Sequence, residues 1–281
     1  MKAPSARLVS LLFAPATNED VLRKIGTRGA DAVVIDCEDA TPPHLKHRAR
    51  EVAREVAPVL ALEGTTVTVR VNAPASEWFA GDVAAALSDS VAAVVVPKVE
   101  RVGELDRLGE LLDAAGLPGL GVIAGLETAL GVADSRELLA HPRVVAGYFG
   151  AEDFIADMGG RRTAGNAEVA YARGRVALAG RLAGVPVLDQ VVTDFHDDDR
   201  FLREAGEAYS MGYAGKLCIH PRQVALANEA FRPSPDEVDR ARRLLAAFEQ
   251  AQADGRGAIA FEGQMVDEPL AAQARRIVAL S

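Results

Sequence analysis

The sequence predicts an α/β fold: a TIM-type (β/α)8 barrel over residues 1–232, followed by a C-terminal helical extension over residues 233–281. Three observations carry that prediction. Eight short apolar runs recur along the chain with helical patterns between them. The runs are near-continuous in Val and Ile, as expected for parallel strands buried on both faces, instead of alternating apolar with polar. Eight such units favour a closed barrel over an open doubly wound sheet, and no Gly-x-Gly-x-x-Gly fingerprint follows the first run. With 281 residues, 49% of them hydrophobic, the chain has ample core for one large or two small domains.

The first strand is expected at Leu8 to Phe13. Lys2 and Arg7 precede it in the manner of a signal peptide, but the run contains Ser10, lacks a small-residue cleavage site, and leads into Pro15 and a capped helix. Further strands are expected at Ala32 to Ile35, Thr66 to Val71 and Val91 to Val96. Helical patterns such as Val52-Ala53-Val56 and Leu105-Leu108-Leu111-Leu112 separate them. The remaining strands fall at Leu120 to Leu126, Val144 to Phe149, Val185 to Val191 and Leu217 to Ile219.

Pro233-Ser234-Pro235-Asp236 then ends the barrel pattern and opens a helix, Glu237 to Gln250, with Val238, Leu244, Leu245 and Phe248 as its apolar positions. A Gly-containing linker, Ala253 to Gly257, and the segment Ala258 to Pro269 lead to a final helix from Leu270. The extension is expected to pack on the barrel or on a neighbouring subunit.

The net charge of -9 argues against a nucleic-acid partner. No run approaches the ~18 apolar residues of a membrane span. Cys37 and Cys218 lie far apart in apolar runs, so they read as buried thiols suited to a reducing cytoplasm.

In a barrel of this kind the active site is built at the carboxyl ends of the strands. Those ends carry Asp36-Cys37-Glu38-Asp39, Arg70-Val71-Asn72, Pro97-Lys98, Glu127, Glu152-Asp153 and His220-Pro221. Each has a bland reading as a helix cap or a solvated strand end, but six gathered at one rim point to a site. Asp153 and Glu127, on two successive strand ends, are candidate ligands for one hard cation. Carboxylates without a histidine cluster favour Mg²⁺, with Mn²⁺ as the alternative, over zinc. Arg70 keeps its proton at neutral pH, so it suits clamping a carboxylate or an oxyanion. His220, before a proline, reads as structural. Thr193-Asp194-Phe195-His196-Asp197-Asp198-Asp199 opens a helix, and its acids read as caps rather than as a metal cluster. Arg7, Lys46, His47, Arg48 and Arg50 are candidate phosphate contacts, each also readable as a solvated surface residue.

Seven motifs together resemble the citrate lyase β-subunit-like family of the HpcH/HpaI aldolase superfamily, in family order and over nearly the whole chain. They are Asp31 to Ala40, Val69-Arg70-Val71-Asn72-Ala73, Val96-Pro97-Lys98-Val99-Glu100, Glu127-Thr128-Ala129, Phe149-Gly150-Ala151-Glu152-Asp153, Gly215 to Pro221 and Met265-Val266-Asp267. The resemblance implies a Mg²⁺-dependent carbon–carbon lyase, trimeric or hexameric, acting on 3-hydroxyacyl-CoA thioesters such as malyl-CoA or citramalyl-CoA. It implies Glu127 and Asp153 as metal ligands and Arg70 as the group that binds the 2-oxo acid, glyoxylate or pyruvate. Main-chain N–H groups of Ala151, Glu152 and Asp153 would receive the oxo-acid carboxylate. Asp267 matches an acid that family members insert into the adjacent subunit's site, with a helix N-cap as its bland reading. Asp36 and Asp39 would stand behind these residues, holding Arg70 or a water. Cys37 and the stretch Ala14 to Asn18 depart mildly from the family pattern.

Three other readings follow from the same residues. A malyl-CoA thioesterase would use the same site for hydrolysis. A Schiff-base aldolase would use Lys98 as its amine. A non-catalytic oxo-acid-binding subunit of a multi-chain lyase would need a partner for turnover.

Overall fold

The computed structural model describes residues 8–280, so Lys2 and Arg7 lie outside the described residues. Eight parallel strands close into a barrel in sequence order. They are β1 (Ser10–Pro15), β2 (Ala32–Asp36), β3 (Val67–Arg70), β4 (Ala93–Val96), β5 (Gly121–Leu126), β6 (Val144–Phe149), β7 (Val187–Asp189) and β8 (Gly215–Cys218). Ten helices accompany them: α1 (Glu19–Ile25), α2 (Lys46–Leu62), α3 (Phe79–Ala86), α4 (Val102–Ala114), α5 (Ala129–Ala133), α6 (Ser135–Leu139), α7 (Ala151–Asp157), α8 (Ala170–Ala183), α9 (Asp198–Met211) and α10 (Pro221–Ala230).

The Val- and Ile-rich runs form strands because both of their faces are covered, one by the barrel interior and one by the helices. Every residue of β2 and β4 is buried. The interior is filled by Leu11, Val34, Val95, Ile123, Tyr148 and Leu217 among others. Strand alternation carries this inward face to the rim. Asp36 follows inward Val34 by two positions, and the register pairs Pro15 with Asp36 and Asp36 with Arg70. These side chains therefore arrive together at one mouth.

Between β7, β8 and the helices α8 and α9 the packing is ionic. Arg173 holds Asp189 through Nε and Nη2, both at 3.0 Å. Lys216 Nζ reaches the same carboxylate at 2.8 Å. Glu204 accepts from Gln190 at 3.0 Å and from Arg200 at 2.7 Å, with Lys216 3.6 Å away. Arg173, Asp189, Gln190, Glu204 and Lys216 are all buried. Charges so placed persist only because each is paired.

The chain divides into two compact units between Asn228 and Glu229, a few residues before the expected 232/233 boundary. In the second unit, α11 (Pro235–Ala253) opens with a capping box between Ser234 and Glu237, as the Pro233-Ser234-Pro235 signal implies. The Ala258–Pro269 segment, for which no element was expected, holds an antiparallel hairpin of β9 (Ile259–Phe261) and β10 (Gln264–Val266). Its turn residues Glu262 and Gly263 have φ of 50° and 80°, which matches the twist of a tight hairpin. The last helix is α12 (Glu268–Ala279). Leu244, Phe248, Val266, Ala271 and Ala274 form this unit's own core.

Among the described residues no helix is long and apolar enough to cross a membrane. Cys37 and Cys218 are buried free thiols, and burial pushes Cys218 up to about 12.

Candidate active site

A cavity of about 360 Å³ opens at the carboxyl ends of the strands, within the range of small-molecule pockets, ~300–1,000 Å³. Its lining is two-sided. Asp36, Asp39, Arg70, Glu127, Tyr148, Glu152 and Asp153 form a polar wall. Phe13, Pro15, Val191, Leu217 and Ile219 form an apolar one. The predicted residues Arg70, Glu127, Ala151, Glu152 and Asp153 thus meet in one cavity.

Glu127, one residue beyond β5, is 2% exposed. Its Oε1 accepts from the Lys98 main-chain N–H at 2.9 Å and from the Tyr148 hydroxyl at 3.0 Å. Its Oε2 lies against Gly150. A Cβ built at Gly150 would fall 2.7 Å from Glu127 Cβ and closer still to Oε2, so glycine at this point makes room for the carboxylate. Burial raises the Glu127 carboxyl, and the charges of Asp153 and Glu38 add to it, bringing it to about 7.

Asp153 stands in the first turn of α7, half-exposed to the cavity. Its Oδ1 is 3.3 Å from Lys98 Nζ. Gly150 makes no side-chain cap, and the first hydrogen bond of α7 runs from the Phe154 N–H to the Gly150 carbonyl. The N–H groups of Ala151, Glu152 and Asp153 are those that a helix start leaves without intrahelical partners. Glu152 is held to one side by Arg162 Nε at 2.9 Å.

Arg70 is clasped by Asp36 through two hydrogen bonds of 2.7 Å each, the geometry of a bidentate guanidinium–carboxylate pair. Asp36 therefore has the supporting place expected of it. Asp39 is more than half exposed and does not hold Arg70; it faces Lys98 Nζ at 3.3 Å. Glu38 comes closer to Arg70, with Oε2 2.9 Å from Nη1 but off the hydrogen-bond line, so that this buried oxygen has no donor. Burial raises Glu38, against the pull of Arg70. Despite its own burial, Arg70 is held well above its ordinary value by Asp36 and Glu38, so it stays charged.

From sequence, Lys98 reads as a strand end or as the amine of a Schiff-base aldolase. Its backbone is left-handed, with φ 51°, a conformation that costs a non-glycine residue about 1–3 kcal/mol. Its Nζ donates to Glu38 at 2.7 Å and also faces Asp39 and Asp153. Burial lowers the ammonium, but Glu38, Asp153 and Asp39 outweigh it and hold it above its ordinary value. A Schiff-base amine needs the opposite shift.

Several phosphate candidates are spoken for. Lys46 is buried, donating to the carbonyls of Cys37 and Glu38 and to Asn72 Oδ1. Arg50 is paired with Asp82 at 2.7 Å. Arg48 bonds Glu19 and Glu51, and His47 lies 3.3 Å from Glu51. Asp197 caps α9 through the Arg200 N–H, as read from sequence. Asp267 belongs to the second unit. It occupies the N-cap position of α12, but its side chain makes no cap hydrogen bond, which leaves the carboxylate free of that role.

The donor set suits a hard cation: two carboxylates, one of them raised by its burial and by the neighbouring acids, with space left for water and substrate. No cluster of three or more His, Cys, Asp or Glu is placed to hold a metal among the described residues. Two carboxylates completed by water are a donor set that magnesium commonly takes.

This chain belongs to the HpcH/HpaI aldolase/citrate lyase family, whose model matches residues 9–221. Within it, the chain is 47% identical to a citrate lyase subunit beta-like protein of Deinococcus radiodurans, over 99% of both chains. It is 33% identical to the mitochondrial citramalyl-CoA lyase of Rattus norvegicus, covering 97% of this chain and 85% of that one. It is 32% identical to a (3S)-malyl-CoA thioesterase of Cereibacter sphaeroides, covering 96% and 93%. The CitE protein of Mycobacterium tuberculosis, crystallised with magnesium, acetoacetate and coenzyme A, superposes with a TM-score of 0.84 at 32% identity, over 98% of each chain.

Proposed function

We propose that this protein is a Mg²⁺-dependent carbon–carbon lyase. It reversibly cleaves a 3-hydroxyacyl-CoA of the malyl-CoA or citramalyl-CoA type to an acyl-CoA and a 2-oxo acid, glyoxylate or pyruvate. The observation that carries this reading is the Glu127–Asp153 pair in a cavity that also holds the Arg70 guanidinium and the open start of α7. Glu127 and Asp153 hold Mg²⁺, which when bound supplies positive charge to the oxygen that becomes the oxo-acid carbonyl.

The remaining work falls to the chain. The N–H groups of Ala151 to Asp153 receive the oxo-acid carboxylate. Arg70, with N–H groups beyond those given to Asp36, stabilises the negative oxygen of the substrate. The 3-hydroxyl proton leaves to a base, the C2–C3 bond breaks, and its electron pair passes to C2 as the thioester enolate. Asp267 of an adjacent subunit protonates C2; in the condensing direction its carboxylate removes that proton. The apolar wall of Phe13, Val191, Leu217 and Ile219 lies along the acyl portion. The protein acts as a homotrimer or hexamer, in a reducing cytoplasm that suits its two buried thiols.

The thioesterase relative favours a second reading, in which the same site hydrolyses the thioester. Incubation with malyl-CoA and Mg²⁺, assayed for glyoxylate and for free thiol, separates the two. Glyoxylate without thiol supports the lyase. Thiol without glyoxylate overturns it.

A further inference from the structure

Lys98 touches both carboxylates of the metal pair, and does so with different atoms. Its main-chain N–H donates to Glu127 Oε1, while its Nζ lies 3.3 Å from Asp153 Oδ1. The left-handed backbone at φ 51° allows both. The contact with Asp153 is the looser one, because the same ammonium donates to Glu38 at 2.7 Å and has Asp39 at 3.3 Å. It can therefore leave Asp153 without being left unpaired in a half-buried position. The rim is also short of positive charge. Asp36, Glu38, Asp39, Glu127 and Asp153, when ionised, outnumber the cations Arg70 and Lys98.

We propose that Lys98 is the built-in counter-cation of this metal site: it holds Asp153 in the metal-free protein and yields that carboxylate to the divalent ion. This rests on the reading of Glu127 and Asp153 as the metal ligands. Lys98 is thus a positioning residue that weakens metal binding and keeps it reversible. A lysine serving the fold alone would do the reverse, since its loss would loosen the site.

The direction follows from Coulomb's law. A unit positive charge a few ångströms from the ion opposes its binding, and its removal leaves Glu38 and Asp39 less neutralised as well. The test is Mg²⁺ titration calorimetry on metal-stripped protein with the wild type, Lys98→Met and Lys98→Gly. Glycine favours the left-handed backbone and retains the N–H to Glu127, so it separates the ammonium from the main chain. Both variants are expected to bind Mg²⁺ at least about tenfold more tightly, equivalent to about 1.4 kcal/mol. Unchanged or weaker binding by Lys98→Gly, beside a wild type that binds, overturns the role of Lys98 alone. A wild type that binds no Mg²⁺ overturns the metal assignment beneath it.

Discussion

Replacing Gly150 by alanine tests the centre of the site with a single methyl group. The backbone there, φ -103° and ψ 97°, is open to any L-residue, so the substitution adds volume without backbone strain. The new Cβ would meet Glu127 Cβ at 2.7 Å and Cδ at 3.1 Å, with Oε2 nearer still. Glu127 has little freedom to withdraw, because Lys98 N–H and Tyr148 hydroxyl both hold its Oε1. Overpacking of this kind costs about 1–3 kcal/mol. At about 2–4 °C per kcal/mol for a chain of this size, the melting temperature should fall by several degrees. The displaced carboxylate should bind Mg²⁺ at least about tenfold more weakly, a loss of about 1.4 kcal/mol. Thermal melts and Mg²⁺ titration of the purified variant read the two effects. A variant that melts and binds Mg²⁺ as the wild type does would refute the placement of the Glu127 carboxylate against Gly150.

Glu127 and Asp267 carry three further expected outcomes. Folded and metal-free, Glu127 binds its proton more tightly than the unfolded chain does, with its carboxyl at about 7 against an ordinary 4.5. Its stabilising effect is thus present in acid and lost as pH rises from about 4.5 to about 7, by as much as about 3 kcal/mol at ~1.4 kcal/mol per unit. Urea unfolding of metal-free wild type and Glu127→Gln across this range should differ by that slope; parallel curves would contradict it. Asp267→Asn and Glu127→Gln should each lose about a hundredfold or more in malyl-CoA cleavage. If Asp267 serves a neighbour, subunits of the two variants unfolded and reassembled together should regain activity, whereas a mixture as inactive as its parts would exclude action in trans.

The barrel was legible because parallel strands bury both faces and so write themselves as unbroken Val and Ile runs, as in β4. The hairpin of the second unit was not. Its strands have three residues each, too few to show a period, and only Glu262–Gly263 marked the turn. Glu127 and Asp153 could be read from their places at strand ends. Glu38 is legible as part of the Asp36-Cys37-Glu38-Asp39 strand end, but its pairing with Arg70 and Lys98 depends on three strand ends meeting. Lys46 was misread for a related reason. A lysine opening a helix looks solvated in sequence, yet here two loop carbonyls and Asn72 fold around it.

The ionic cluster at Arg173, Asp189, Lys216 and Glu204 sits where the barrel joins its last strands, and there the ladder is short: β7 meets β8 only through Leu188 with Gly215 and Asp189 with Lys216. A slip of β8 by one residue would turn Lys216 into the apolar interior and Leu217 toward the charges of α8 and α9. Either misplacement leaves buried charge without a partner, a penalty of several kcal/mol that an apolar seam would not impose. The cluster thus acts as a keyed joint, permitting the cylinder to shut in one alignment. Because Leu217 and Ile219 follow Lys216 in the chain and line the cavity, the key that aligns the strand also decides which side chains face that cavity.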